Sequence, residues 1–396
     1  MRDIHNIPNT ENAMVLCDLQ TWGPKNANKT IFPKYRTNEL VFSKKYTLIN
    51  GNESIQMDLD LVNCDPFVVC LDNPLVPSNI SCVVTQKGEI IYSGLASDAD
   101  RYISSSRITT RSIKDYFPSN LMTAEFTKEI TGDAIIVHYG TKYFGHRMLY
   151  TVGLANALEL CPESEVPVYL FGEKSNILCP FFSEIYSRLG VISDNRLKFI
   201  DPNFRNKFER LWIPFNPISF GKGTHRTSIN FFDSFRRRLG INEDLIPRRN
   251  KRKKIYISRG DAAYRRIINE HEIISALEKL GFISIEAARY SLMELMEIFG
   301  QSEIIISALG SNLVNCVFAP PGIQVGEFVP AFYDCDPSNK NALSSIVKGC
   351  GQEYYRIECD VIKEKEVKYS KWNFYVPLNN VIKCLETMFD GLGYGS

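Results

Sequence analysis

From Lys253 to Phe328 the chain alternates two periodicities, and that alternation admits few folds. Four short runs rich in β-branched and aromatic residues, Ile255–Ser258, Phe282–Ile285, Ile304–Ser307 and Ile323–Phe328, are separated by segments whose apolar residues recur at helical spacing. Strands separated by helices pair in parallel, each helix crossing a face of the sheet. The helix ends can be placed as well. Asn269 followed by Glu272 has capping-box spacing, Ile273, Leu277 and Leu280 then fall on one stripe, and Gly281 stops the helix. The grammar repeats with Ser291 and Glu294 as the box, Leu292, Leu295, Met296 and Phe299 as the stripe, and Gly300 as the end.

Open parallel sheets bind ligands outside the carboxyl ends of their strands, so the loops after Ser258 and Ser307 are where a site is expected. The first loop carries Arg259, Arg265 and Arg266, whose planar, permanently charged forks suit phosphate oxygens. The second carries Gly310, Ser311 and Asn312, small residues opening a helix whose free N–H groups favour an anion. Either feature alone reads equally as solvated surface or a tight turn. Together, on adjacent loops, they describe a diphosphate site. All three arginines are assigned to the donor site, at least Arg259 or Arg266 on the diphosphate, with a solvent-facing Arg265 as the alternative. Neither GxGxxG nor GxxxxGK[ST] occurs in this region, which argues against a dinucleotide dehydrogenase or a P-loop enzyme.

Three stretches in order, YISRGDAAYRRIINEHE, ALGSNLVNCVFAPPG and the glutamate of VGEF, resemble the carboxyl-terminal half of glycosyltransferase family 61, which includes many bacterial capsular polysaccharide enzymes. A weaker likeness lies upstream in KYFGHRMLY, residues Lys142 to Tyr150. The resemblance implies an inverting transferase with a GT-B-like α/β fold: two facing Rossmann-like domains that bind a nucleotide-sugar as co-substrate, with no further cofactor. The acceptor would be a glycan or lipid-linked glycan, in capsular or other surface polysaccharide synthesis. The resemblance adds Asn269 and Asn315 to the donor set, Asn269 mainly as a helix cap, with Glu270 in support. Glu327, at a strand's end, is assigned to the ribose, because a carboxylate can accept both sugar hydroxyls. The base that removes the acceptor proton is assigned to His146, in the family-like Phe144-Gly145-His146 run, with His138 or Asp133 as substitutes. Two positions depart from the family pattern. Leu309-Gly310-Ser311 stands where many members have His-Gly-Ala, and Arg147 and Tyr150 stand where tryptophan and an acidic residue are common.

The rest of the chain sets the frame. Residues 1–120 read as β-rich, with short strands and Asn-Gly and Lys-Gly turn signals. Residues 121–248 read as a first Rossmann-like, acceptor-side domain, joined by resemblance to a carboxyl-terminal helix within 376–396; residues 249–375 read as the donor domain. A helix around Ile229–Leu239 closes the first domain in this reading. The amphipathic stretch Leu378–Phe389 is expected to bury Val381, Ile382, Leu385 and Met388. Eleven cysteines are scattered without CxxC pairs, which suits reduced thiols buried as small hydrophobes. The Asp-x-Asp triplets at residues 58–60, 98–100 and 334–336 make no convincing metal site in a loop, so no metal ligands are assigned.

No apolar run approaches the roughly 18 to 20 residues that cross a bilayer, and the first residues lack a signal-peptide core, so a cytoplasmic protein is expected. Arg236 to Arg266 holds twelve Lys/Arg against three Asp/Glu. Such a run is a solvated linker or a peripheral contact with the inner face of a membrane. No nucleic-acid recognition motif accompanies it, and nucleic acid is not expected as a partner. A non-catalytic nucleotide- or carbohydrate-binding protein on the same fold is the competing function, since fold alone does not decide activity.

Overall fold

Two parallel-rich sheets with flanking helices give the chain a mixed α/β architecture. The computed structural model describes residues 16–17, 25, 27, 29–31, 45–58, 67–76, 83–87, 90–91, 126–137, 144–161, 165–170, 179–192, 195–201, 204–215, 228–241, 252–260, 262–330, 342–363 and 371–393. The chain divides into two units, one made of Met1–Tyr35 with Cys64–Pro217 and the other of Arg36–Asn63 with Ile218–Ser396.

A hairpin of β1 (Lys45–Asn50) and β2 (Glu53–Asp58) turns through Gly51, whose φ of 59° lies in the left-handed region that glycine adopts without strain. The sequence reading put this hairpin in a β-rich amino-terminal region. In the structure it belongs to the second unit. There β1 adds in parallel to the edge of a later strand, Thr47 opposite Tyr355 and Ile49 opposite Ile357, and buries Ile49 completely.

In the first unit, β3 (Phe67–Asp72) and β4 (Phe126–Val137) precede α1 (Phe144–Leu160), β5 (Val168–Leu170), α2 (Pro180–Arg188), β6 (Leu197–Phe199) and β7 (Phe204–Phe215). The parallel set runs β7-β4-β5-β6, and β3 pairs antiparallel with the other side of β7. Alternate residues of β3, Phe67, Val69 and Leu71, meet Ala134 and Ile136 of β4 and Leu211 and Ile213 of β7 in one buried cluster, as the two-residue period of a strand requires.

The second unit contains α3 (Ser228–Arg238), β8 (Lys253–Ile257), α4 (Glu270–Glu278), β9 (Phe282–Ile285), α5 (Leu292–Gly300), β10 (Ser302–Ala308), a 3₁₀ helix (Ser311–Phe318), β11 (Gln324–Pro330), α6 (Ala342–Gly349), β12 (Glu353–Val361), β13 (Phe374–Tyr375) and α7 (Leu378–Gly391). Its sheet is ordered β9-β8-β10-β11-β12-β1-β2, with parallel pairing from β9 through β1. After β9 the chain passes back over β8 to place β10 on its other side. That reversal makes the gap between β8 and β10 the topological switch point, the usual ligand crevice of an open α/β sheet. The two loops singled out by sequence are the ones that leave these strands.

Two helices lie elsewhere than the sequence reading placed them. Helix α3, expected to close the first domain, packs in the second unit: Phe235 stacks on Phe318 at 6.3 Å, and the buried Arg236 donates from Nη1 to the Ala319 carbonyl at 3.2 Å. Helix α7, assigned by resemblance to the first domain, lies on the second sheet. Its Val381, Cys384, Leu385 and Met388 join Tyr256, Ile306 and Phe328 in the main core, and Gly326 makes room for Met388, whose Cε would lie 3.0 Å from a Cβ there. Ile382, expected inside, is 52% exposed, because Cys384 and not Ile382 completes the i, i+3, i+4, i+7 stripe. Leu280 is likewise exposed, since α4 ends at Glu278 before Leu280 can share the face of Ile273 and Leu277. Seven described cysteines are free thiols, six of them buried.

Candidate functional site

The loop after β8 is organised by a carboxylate. Glu270, first residue of α4, accepts at Oε1 from the Tyr256 hydroxyl (2.8 Å), the Ser258 hydroxyl (3.0 Å) and the Arg259 backbone N–H (3.0 Å). Three donors on one oxygen fix where the chain leaves the strand. Burial and the facing Glu270 carboxylate together push the Tyr256 phenol well above its ordinary value, so it stays a donor. The Arg259 guanidinium then reaches across the switch point and donates from Nη1 to the Leu309 carbonyl at 3.2 Å and from Nη2 to the Tyr264 carbonyl at 3.3 Å. It lies directly over Gly310, where any Cβ would run into Nη1. Gly310 is therefore required by this close approach, and its extended backbone imposes no demand of its own.

Asn269 departs from its expected role. It precedes α4, but its side chain caps nothing; instead Nδ2 donates to the Val376 carbonyl (2.9 Å) and Oδ1 accepts from the Val376 N–H (3.0 Å). Both polar ends are thereby used to tie the segment before α7 to this loop. The Ser291–Glu294 box, by contrast, forms in both directions, at 3.3 and 2.8 Å.

The other two arginines sit differently from Arg259 and from each other. Arg266 is exposed, its backbone held by Asn373 and Phe374 next to the Ile267–Phe374 bridge. Arg265 takes φ 57°, a left-handed conformation uncommon for a residue with a Cβ, and is half-buried; its charge acts on Glu327. The positive φ turns Arg265 out of line with its neighbours.

Glu327 lies on β11, 2% exposed, in register with Ser307 of β10 and Arg356 of β12. Its Oε2 accepts from the Tyr354 hydroxyl at 2.5 Å, and its Oε1 is buried without a hydrogen-bond partner among the described residues. Burial pushes its carboxyl up to about 7, against the pull of the Tyr354 hydrogen bond and of the Arg356 and Arg265 charges. Asn315 in the 3₁₀ helix, 1% exposed, donates from Nδ2 to the Asn312 carbonyl (2.9 Å) and likewise keeps a buried, unpartnered Oδ1. Ser311 and Asn312 are half-buried at the start of that helix. Arg265 and Arg356 act on Glu327, and Glu327 Oε1 and Asn315 Oδ1 are left as unsatisfied acceptors, a combination suited to an anionic ligand that also carries hydroxyl donors.

Tyr354 and Arg356 were missed from sequence. A Tyr-x-Arg spacing on a strand does put both side chains on one face, but only the register with β11 shows that the face is that of Glu327. Of the base candidates, His138 lies outside the described residues. His146 falls in the first turn of α1, and its side chain is also outside the described set. Asp133 is engaged: its carboxylate accepts from Arg210 Nε (2.8 Å) and Nη2 (2.6 Å) and from the Trp212 indole (2.9 Å). That makes it half of a structural ion pair, with the Asp133 carboxylate buried and the Arg210 side chain 47% exposed. Among the described residues no group of three or more His, Cys, Asp or Glu could hold a metal, and no helix is long and apolar enough to cross a membrane.

Residues 133–326 match the family model described as Glycosyltransferase 61. This region belongs to glycosyltransferase family 61. No curated protein matches the chain. Among solved structures it is similar, at 11% identity and a TM-score of 0.27, to the bacterial iron-containing dodecameric glycosyltransferase TibC from enterotoxigenic E. coli H10407, over 73% of this chain and 80% of that one. Arg259, Glu270 and Gly310 fall inside the glycosyltransferase 61 match, whereas Glu327, Tyr354 and Arg356 lie just beyond it.

Proposed function

We propose that the protein is an inverting glycosyltransferase that moves a sugar from a nucleotide-sugar to a glycan hydroxyl, in capsular or other surface polysaccharide synthesis. Family membership supports a donor and an acceptor. The observation that carries the donor reading is the Arg259 guanidinium lying over Gly310 at the switch point; the half-buried Arg265, whose charge acts on Glu327, and the unpartnered Glu327 Oε1 add to it. In this reading Arg259 and Arg265 hold the diphosphate and stabilise it as it departs, the start of the 3₁₀ helix adds backbone donors, and Glu327 takes the ribose. Arginines do this without a metal. A GT-B-like organisation is part of the proposal, and the two parallel-rich sheets are its support. His146 is proposed as the base that takes the acceptor proton. His146→Ala should then lower turnover by roughly 10² to 10⁴ with nucleotide affinity retained.

The deciding experiment is a panel of nucleotide-sugars offered with glycan acceptors, reading release of nucleoside diphosphate. Turnover with one donor supports the transferase. Tight nucleotide binding without turnover would favour the second reading, a binding protein on the same fold. That reading draws on Leu309, whose buried aliphatic side chain stands where many relatives carry a histidine able to assist the leaving group.

A further inference from the structure

A carboxylate on a flexible arm has two equivalent oxygens and a soft terminal torsion, so something must choose which oxygen meets a ligand. At Glu327 that choice is made by β12. The Tyr354 hydroxyl occupies Oε2 at 2.5 Å, leaving Oε1 buried and without a partner among the described residues. Tyr354 is itself immobile: it is 4% exposed and makes an edge contact with the Tyr46 ring of β1 at 5.6 Å.

We propose that Tyr354 is a positioning residue for the nucleotide: its phenol fixes the Glu327 carboxylate so that Oε1 is the oxygen turned to the donor's hydroxyls. The proposal rests on the reading of Glu327 as the ribose ligand. The charged and titratable groups acting on Glu327 are Tyr354 and Arg356 from β12 and Arg265 from the loop after β8, with Cys316 of the 3₁₀ helix nearby. Burial opposes the charge, and the Tyr354 hydrogen bond is the foremost of the three influences that oppose burial. An ionised carboxylate can accept from both hydroxyls of a ribose. A protonated one must spend one oxygen as a donor, and loses that match.

The test is calorimetric titration of the full chain with UDP, CDP and GDP from pH 6 to 9. For the wild type, affinity for the nucleotide that binds should rise with pH through about 7, where Glu327 ionises. Tyr354→Phe should lose about fivefold at pH 7 and recover nearly all of it by pH 9, its midpoint moved upward by about one unit. Replacing Tyr354 with 3-fluorotyrosine, a more acidic donor of nearly the same shape, should move the midpoint downward. A purely structural role for Tyr354 would give neither shift. Glu327→Gln should bind weakly and keep only the pH dependence of the nucleotide's own terminal phosphate, which ionises near pH 6. If Glu327→Gln behaves that way while the Tyr354→Phe curve follows the wild type, or is offset by a constant factor at every pH, the proposal for Tyr354 is wrong and Glu327 keeps its role. If Glu327→Gln binds like the wild type, or none of the three nucleotides binds, the donor reading itself falls.

Discussion

Glu327 carries a charge that its surroundings disfavour, and this has a measurable cost. Its carboxyl is pushed up to about 7 from 4.5 by burial, so between those values the native state holds a proton that the unfolded state has released. Stability is therefore greatest below about pH 4.5 with respect to this group and falls as pH rises toward 7, by on the order of 3 kcal/mol. Urea unfolding at pH 5 and pH 8 should show that loss in the wild type and little of it in Glu327→Gln, which keeps the shape without the charge. Equal pH dependence in the two proteins would mean the carboxyl is not strained in the fold. At Arg259 the expectation concerns binding: Arg259→Ala should remove about 2 to 3 kcal/mol of nucleotide affinity by deleting charge-assisted bonds. Gly310→Ala should mimic it with little change in melting temperature, because the new methyl displaces only the mobile end of the Arg259 side chain. The positions of Arg259 and Gly310 could be singled out in the sequence because each lies two residues past a strand end. The inward turn of Arg265 was not, because it depends on one positive φ that no residue preference announces.

At the level of elements, capping signals proved unequal guides. Ser291 and Glu294 form their reciprocal box, so Ser291→Ala should cost about 1 kcal/mol. Asn269 has the same sequence signature, yet it pairs with the backbone of Val376, over a hundred residues away. Asn269→Ala leaves a buried N–H and C=O unpaired and should cost about 2 to 4 kcal/mol, clearly more than the true cap; similar losses for the two variants, measured by denaturant unfolding, would contradict this. Helix α7 offers a second contrast. Leu385 is buried in the core cluster and Ile382 is exposed, so Leu385→Ala should destabilise by about 2 to 5 kcal/mol and Ile382→Ala by less than about 0.5. The helical period located α7 from sequence. Which of two overlapping stripes turns inward was decided by the pit left over Gly326, a tertiary fact.

At the level of the molecule, the division into units does not follow the chain. Each unit is built from two separate segments, and the hairpin of β1 and β2 is carried into the second unit from residues 36–63. The local strand and turn signals of that hairpin were visible; its destination was not, because Thr47 pairs with Tyr355 roughly 300 residues later. A fragment of residues 218–396 alone should consequently fold poorly, with β12 presenting an uncovered edge and Ile357 losing its contact with Ile49. Supplying residues 36–63, fused or as a separate peptide, should restore a cooperative melting transition. A fragment that melts cooperatively without them would show that the hairpin is dispensable.

The borrowed hairpin also imposes a delay. During synthesis at about 5 to 20 residues per second, β1 waits roughly 15 to 60 s for β12 to emerge. Through that interval Tyr46 and Ile49, both buried in the finished protein, have no sheet to cover them. A growing chain with an apolar strand edge exposed for so long is a natural client for a holding chaperone, and slower translation should lower the yield of native protein more than a fold made of local contacts would suffer.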